Sequence, residues 1–194
     1  MHGKVAAPQQ TRKRHLPGEV GIWMFILGDM LVFSLFFVTY LFYRGQEPAL
    51  FDASQARLNI HFGVINTLLL LTSSWFVVMA VDAVRSDHMA RAKALFRLAL
   101  LCGAGFVALK IVEYGQKSRE GINLLTDNFF MFYYMYTGIH LIHVLLGLVF
   151  LAWLVHKCRT ATSADIATFE VGASFWHLVD LLWIMLFPLL YLVK

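Results

Sequence analysis

The sequence predicts an all-α, polytopic membrane protein, a single bundle of five transmembrane helices. Three observations carry that class. Of its 194 residues, 59% are hydrophobic and 14% charged, with a mean hydropathy of +0.67, well above the roughly 45–50% apolar content of soluble domains. Five apolar segments, at about 20–43, 60–81, 94–114, 129–156 and 171–193, each reach the ~20 residues that a helix needs to cross ~30 Å of hydrocarbon. Runs such as "TLLLLTSSWFVVMAV" lack the alternation of a barrel strand, so the backbone groups of each span must be satisfied within a helix.

The first span, 20–43, follows a polar, basic stretch, "MHGKVAAPQQTRKRHLPGE", read as a cytoplasmic tail over residues 1–19. That stretch is too long for a signal-peptide n-region, and no small-residue cleavage site follows the first apolar run, so the first span is expected to be retained. Asp29 is its one charged residue. The second span, 60–81, holds no charge and offers His61 at its edge, Asn66, Thr67, and Thr72 to Ser74. The third, 94–114, carries Lys110 and Glu113, with Ala99, Gly103 and Gly105 where a neighbour can approach closely. The fourth, 129–156, contains His140 and His143 with Gly138 and Gly147 as possible contact points, and the fifth, 171–193, contains His177 and Asp180. Pro188, near the end of the fifth, withholds a backbone donor and is expected to kink it. Residues 20–193 are thus one membrane domain with no soluble domain attached.

Orientation follows from the basic residues. Ten Lys and Arg fall in the tail, the second loop and the fourth loop, five fall on the other side, and Lys110 lies within a span. The excess places the N-terminus in the cytoplasm and the C-terminus in the periplasm of a bacterial inner membrane. Trp23, Trp153 and Trp176 at one predicted boundary, and Tyr40, Tyr43, Tyr133, Tyr134 and Tyr191 at the other, agree with such a placement and are equally compatible with core positions. Basic residues that fall mostly in connections argue for topology and not for nucleic acid. Cys102 and Cys158 sit at different depths, lack ligand spacing, and read as plain thiols, without a Cys-based metal centre.

Ionisable groups inside spans are costly and face the bundle interior with partners. Counting depth at about 1.5 Å per residue, Asp29 and Asp180 lie roughly 13 Å in from the cytoplasmic end, His177 about 9 Å and His143 about 20 Å. These can form one mid-membrane layer. Lys110, Glu113 and His140 fall roughly 24 to 29 Å in by the same count and can form a second layer. Glu113, next to Tyr114 and a loop, is expected within reach of water. Residues three apart share a helix face, so His140 with His143, His177 with Asp180, and Lys110 with Glu113 are presented in pairs. Three roles are open: a haem or metal site between histidines, a proton path that would make the chain an independent proton or small-solute channel, and buried pairs that clamp helices in register.

The motifs resemble a known family. "FYYMYTGIHLIHVLLG" (132–147) and "FWHLVDLLW" (175–183) are similar to the last two helices of haem–copper oxidase subunit III, which carry TGxHxxHVxxG and WHxVDxxW runs. "KIVEYGQK" resembles that family's Glu-Tyr helix and "GIWMFILGDMLVFSLFF" its acidic helix, so the resemblance covers about residues 18 to 193. The two N-terminal helices of the mitochondrial-type subunit, which form a lipid-holding cleft, have no counterpart here, and the membrane carboxylate is Asp29 where the long form often has Glu. Within the short form, "GEVGIWMFILGDMLVF" and "NFFMFYYMYTGIHLIHVLLGLVFLAW" look most like the nitric oxide reductase-associated proteins of denitrifying bacteria. The resemblance implies a subunit III-type bundle that binds no cofactor and is not catalytic by itself. Its implied partner is the haem-containing catalytic subunit of a nitric oxide reductase, or of a quinol or cytochrome c terminal oxidase, which carries the haem and iron or copper. Membrane lipids complete the expected surroundings. By position, Asp29, Glu113, His140, His143, His177 and Asp180 are implied to be buried polar or proton-related residues, and Tyr114, Gly138, Gly147, Trp176 and Trp183 packing residues.

Overall fold

The structure, a computed structural model, describes residues 20–160 and 165–193; the expected tail over 1–19 and Lys194 lie outside the described residues. Six α-helices follow in order: α1 Val20–Gln46, α2 Pro48–Gln55, α3 Ile60–Arg85, α4 Met89–Arg119, α5 Asn128–Lys157 and α6 Ile166–Phe187, the last continuing into a wider π-type turn over Pro188–Leu192. Five of them are long and apolar enough to cross a membrane. The expected bundle is therefore present, with helix ends that overrun the apolar segments. Helix α4 runs five residues past its expected bound at either end, because interfacial charged residues continue a helix whose hydropathy has already fallen.

Local chemistry sets the boundaries. Asn59 accepts a hydrogen bond from the His61 amide at 3.0 Å at the start of α3, and Asp127 Oδ1 accepts one from the Phe130 amide at 2.8 Å at the start of α5, each satisfying an otherwise orphaned amide of a first turn. After α4, Gly121 takes a φ of +74°, the left-handed conformation that reverses the chain at the end of a helix. Short connections make neighbours antiparallel. Helix α3 packs on α4 and α6, α5 on α4 and α6, and α1 lies outside on α5 and α6.

Small residues let the helices close. A Cβ on Gly147 would sit 2.7 Å from the six-membered ring of Trp176, and one on Gly103 would sit 2.8 Å from the adjoining edge of the same ring. Trp176, 1% exposed, is thus a wedge of α6 between α4 and α5, and not an interfacial anchor. Gly138 departs from the expected close contact: a Cβ there would meet nothing within 4 Å, because that face of α5 is turned away from its neighbours. Tyr40 and Tyr133 are likewise core residues, while Trp153 and Tyr43 remain exposed.

Helix α2 was not foreseen. Its proline-led first turn and low apolar content gave it the look of a loop, yet Phe51 is fully buried with ring contacts to Tyr40, Phe129 and Phe132 at 5.4 to 6.4 Å. Polar bonds pin it over one end of the bundle: Arg44 to Asp52 at 2.6 Å, Ser54 to Asp127 at 2.7 Å, and Gln55 to the Leu190 carbonyl at 3.2 Å.

Candidate functional site

The ionisable residues of the spans resolve into three clusters, divided differently from the two expected layers. The first lies toward the α2 end. Lys110 Nζ donates to Glu113 Oε2 at 2.8 Å, to Tyr191 Oη at 3.1 Å and to Tyr133 Oη at 3.4 Å, and Tyr191 Oη donates to Glu113 Oε1 at 2.6 Å. Four rings surround the ammonium: Trp183 at 4.8 Å, Tyr133 at 5.2 Å, Tyr191 at 5.6 Å and Tyr114 at 5.8 Å from ring centre to Nζ. Ring faces attract a cation electrostatically, most strongly when it is desolvated. Lys110 and Glu113 are each 1% exposed, so Glu113 is not within reach of water as its position near a loop suggested. The helix continues past it to Arg119, and the turn after Pro188 swings Tyr191 across its open side. That turn is where the expected kink becomes useful: the π-type geometry places a phenol opposite a carboxylate on another helix.

The second cluster joins α1 to α5. His143 Nε2 lies 3.2 Å from Asp29 Oδ1, while its Nδ1 faces the Ile139 carbonyl at 2.9 Å. A carbonyl only accepts, so Nδ1 carries a hydrogen, and this bond orients the ring so that Nε2 faces the carboxylate of α1.

The third cluster joins α6 to α3. His177 and Asp180 do share a face, but they do not meet His143 or Asp29 as their depth suggested. His177 Nδ1 hydrogen-bonds Ser74 Oγ at 2.6 Å, and Asp180, one turn further along α6, has its Oδ1 buried without a protein partner. The reason is rotational: α6 turns this face to α3, and depth counting carries no information about which neighbour a face meets.

Between the clusters lies an aromatic layer. His140 is fully buried with neither ring nitrogen hydrogen-bonded, packed at 5.6 Å from Phe106 and 5.3 Å from Trp183. It therefore makes no bond to Lys110 or Glu113, although the same layer was expected for all three. Trp183 donates to Thr67 at 3.0 Å, and Thr67 to the Gly63 carbonyl at 2.8 Å. Among the described residues no hydrogen bond joins one cluster to another. Tyr114 bonds Thr137 at 2.6 Å and so ties α4 to α5 beside the first cluster.

These clusters offer proton donors and acceptors and little else. Among the described residues no group of three or more His, Cys, Asp or Glu is placed to hold a metal ion. A haem between histidines fits poorly, since both nitrogens of His143 face protein partners, Nδ1 of His177 is taken by Ser74, and His140 is enclosed by two rings. Cys102 and Cys158 are free thiols.

Residues 10–194 match the family model for cytochrome c oxidase subunit III. The chain belongs to that family. It is 29% identical over 193 residues to cytochrome c oxidase subunit 3 of Bacillus sp. strain PS3, covering 97% of this chain and 92% of that protein. Quinol oxidase subunit 3 of Bacillus subtilis is 26% identical, covering 99% and 95%, and cytochrome bo(3) ubiquinol oxidase subunit 3 of Pseudomonas putida 27% identical, covering 90% and 84%. Near-complete coverage in both directions makes this a whole-length likeness, with the five spans of the family's fold and a bacterial inner-membrane setting. Sequence reasoning named the ionisable residues of the three clusters but overlooked Ser74, Tyr133 and Tyr191 as their partners. Two of those are tyrosines that read as interfacial from position alone.

Proposed function

We propose that this chain is a non-catalytic third subunit that packs beside the haem-bearing catalytic subunit of a respiratory complex, and that this partner is a nitric oxide reductase. The observation that carries the accessory role is that the ionisable side chains of the spans are largely spent on joining helices: the Lys110–Glu113 pair of α4 with Tyr133 and Tyr191, Asp29 with His143, and His177 with Ser74. The nitric oxide reductase assignment is supported by the likeness of 18–33 and 128–153 to the proteins associated with that enzyme. The N-terminus and the tail over 1–19 then face the cytoplasm, and the chain supports assembly, stability or proton handling of its partner while holding no haem itself.

A terminal oxidase is the second reading, favoured by relatives named as cytochrome c oxidase and quinol oxidase subunits. Affinity purification of the tagged chain from its native membrane in mild detergent, followed by mass spectrometry and a haem spectrum, decides between them. A nitric oxide reductase catalytic subunit is expected. Recovery of an oxidase subunit I establishes the second reading, and recovery of no haem-bearing partner overturns both.

A further inference from the structure

A cavity of about 460 Å³ opens between the end of α3 and the starts of α4 and α6. Asp82, Arg85, Arg91, Glu170, Ser174 and His177 contribute its polar lining. Arg85 and Glu170 form an ion pair of 2.7 Å here, the arginine largely exposed. The cavity reaches inward to His177, and beyond the imidazole come Ser74 and the unpartnered Asp180 oxygen. Further in stand Trp183, Phe106 and His140, with Phe106 edge to face against both of the others and no hydrogen-bonded route onward among the described residues.

We propose that this cavity is a water-filled inlet, closed at its inner end, which keeps His177 and the Ser74 hydroxyl bonded to it in proton exchange with the aqueous phase on the α3–α4 loop side only. Its volume holds on the order of ten waters. Four charged side chains in the wall make a lipid acyl chain a poor occupant, because ionised groups facing hydrocarbon are costly. A buried carboxylate oxygen without a protein partner calls for water as its remaining ligand. Inward of Asp180 the Trp183, Phe106 and His140 rings are fully buried and packed on one another, and among the described residues no hydrogen bond runs from them to Asp180 or to the Lys110–Glu113 pair, so close ring packing ends the inlet there. The inlet thus serves one cluster and leaves the Lys110–Glu113 cluster sealed from that side, whatever the identity of the partner subunit.

Cysteine accessibility in native membrane vesicles tests this, with the full chain and any partner it retains. In a background with Cys102 and Cys158 replaced by Ser, four single variants are compared: Ser174→Cys in the wall, His177→Cys at the floor, Leu181→Cys on the exposed apolar face of α6, and Ser86→Cys in the α3–α4 loop. A charged, membrane-impermeant methanethiosulfonate is applied to right-side-out and inverted vesicles. Ser174→Cys and His177→Cys are expected to react at least tenfold faster than Leu181→Cys, and in the same vesicle preparation as Ser86→Cys, which marks the side independently of the assumed topology. Reaction at 174 no faster than at 181 overturns the inlet, as does labelling from the side opposite to 86. If His177→Cys does not assemble, the comparison of 174, 181 and 86 still decides. A fast 174 beside an inert, folded 177 overturns the claim that water reaches the imidazole.

Discussion

Lys110 is the residue whose burial most needs explaining. Its ammonium lies where hydration is absent, and it is compensated by one carboxylate, two phenols and the faces of four rings. A buried pair of this kind contributes little net stability, since desolvation offsets most of the attraction, but removing one partner leaves a bare charge at a cost of about 3–5 kcal/mol. Lys110→Met alone is therefore expected to lose most of the folded protein in mild detergent, and Glu113→Leu alone to do the same. The double variant Lys110→Met/Glu113→Leu should recover much of the loss, a non-additivity expected of groups in direct contact. Thermal unfolding followed by fluorescence-detected gel filtration measures all three. A loss in the double variant equal to the sum of the two single losses would mean that the two residues act independently. Tyr191→Phe tests the cluster's other side: it removes the donor to Glu113 while keeping the ring over Lys110, and a buried acceptor left unsatisfied costs about 1–3 kcal/mol.

Helix contacts depend on the Trp176 wedge, because two glycines on two other helices are shaped to it. Gly147→Ala places a methyl group 2.7 Å from ring atoms, and the adjoining edge of the same ring already lies against Gly103 of α4, which limits how far the indole can shift. Overpacking of this kind costs about 1–3 kcal/mol. Gly138→Ala, on a face where a Cβ meets nothing within 4 Å, is expected to leave the isolated chain's stability unchanged, so the pair of variants separates glycine needed for packing from glycine that merely occurs. Sequence alone placed both in one class. The spans themselves were legible because a 20-residue apolar run has one physical solution in lipid, and the i, i+3 pairing of His177 with Asp180 was legible because helix geometry is periodic. The Ser74 partner was not, since rotation of α6 about its axis is fixed by Trp176 and Trp183 packing, which no spacing encodes. Helix α2 was hidden for a different reason: eight residues with a modest apolar share look like a connection until Phe51 finds Tyr40, Phe129 and Phe132.

At the scale of the whole molecule the five spans are unequally held. Of the most apolar stretch of α6, 56% is buried inside the chain, against 17% for α1, and α1 is held to α5 by the Asp29–His143 pair, the Tyr136 hydroxyl on the Phe36 carbonyl at 2.6 Å, and the stacked Phe36–Tyr136 rings. A helix with so few interior contacts opens locally at a lower free energy than the bundle unfolds. In detergent, amide hydrogen exchange over 30–38 of the isolated chain is therefore expected to be faster than over 176–184. Asp29→Leu should raise the α1 rate further while leaving α6 unchanged, because removing the carboxylate takes away one polar tie of α1 to α5 and leaves His143 with a hydrogen-bonding nitrogen unused. If the partner subunit covers α1, the same segment should regain protection in the purified complex by an order of magnitude or more, since a contact made only by the closed state shifts the opening equilibrium by mass action. Protection of α1 that is already equal to that of α6 in the isolated chain would show that the three contacts to α5 suffice, and that the exposed apolar face of α1 is a lipid boundary and not a place where another subunit is needed.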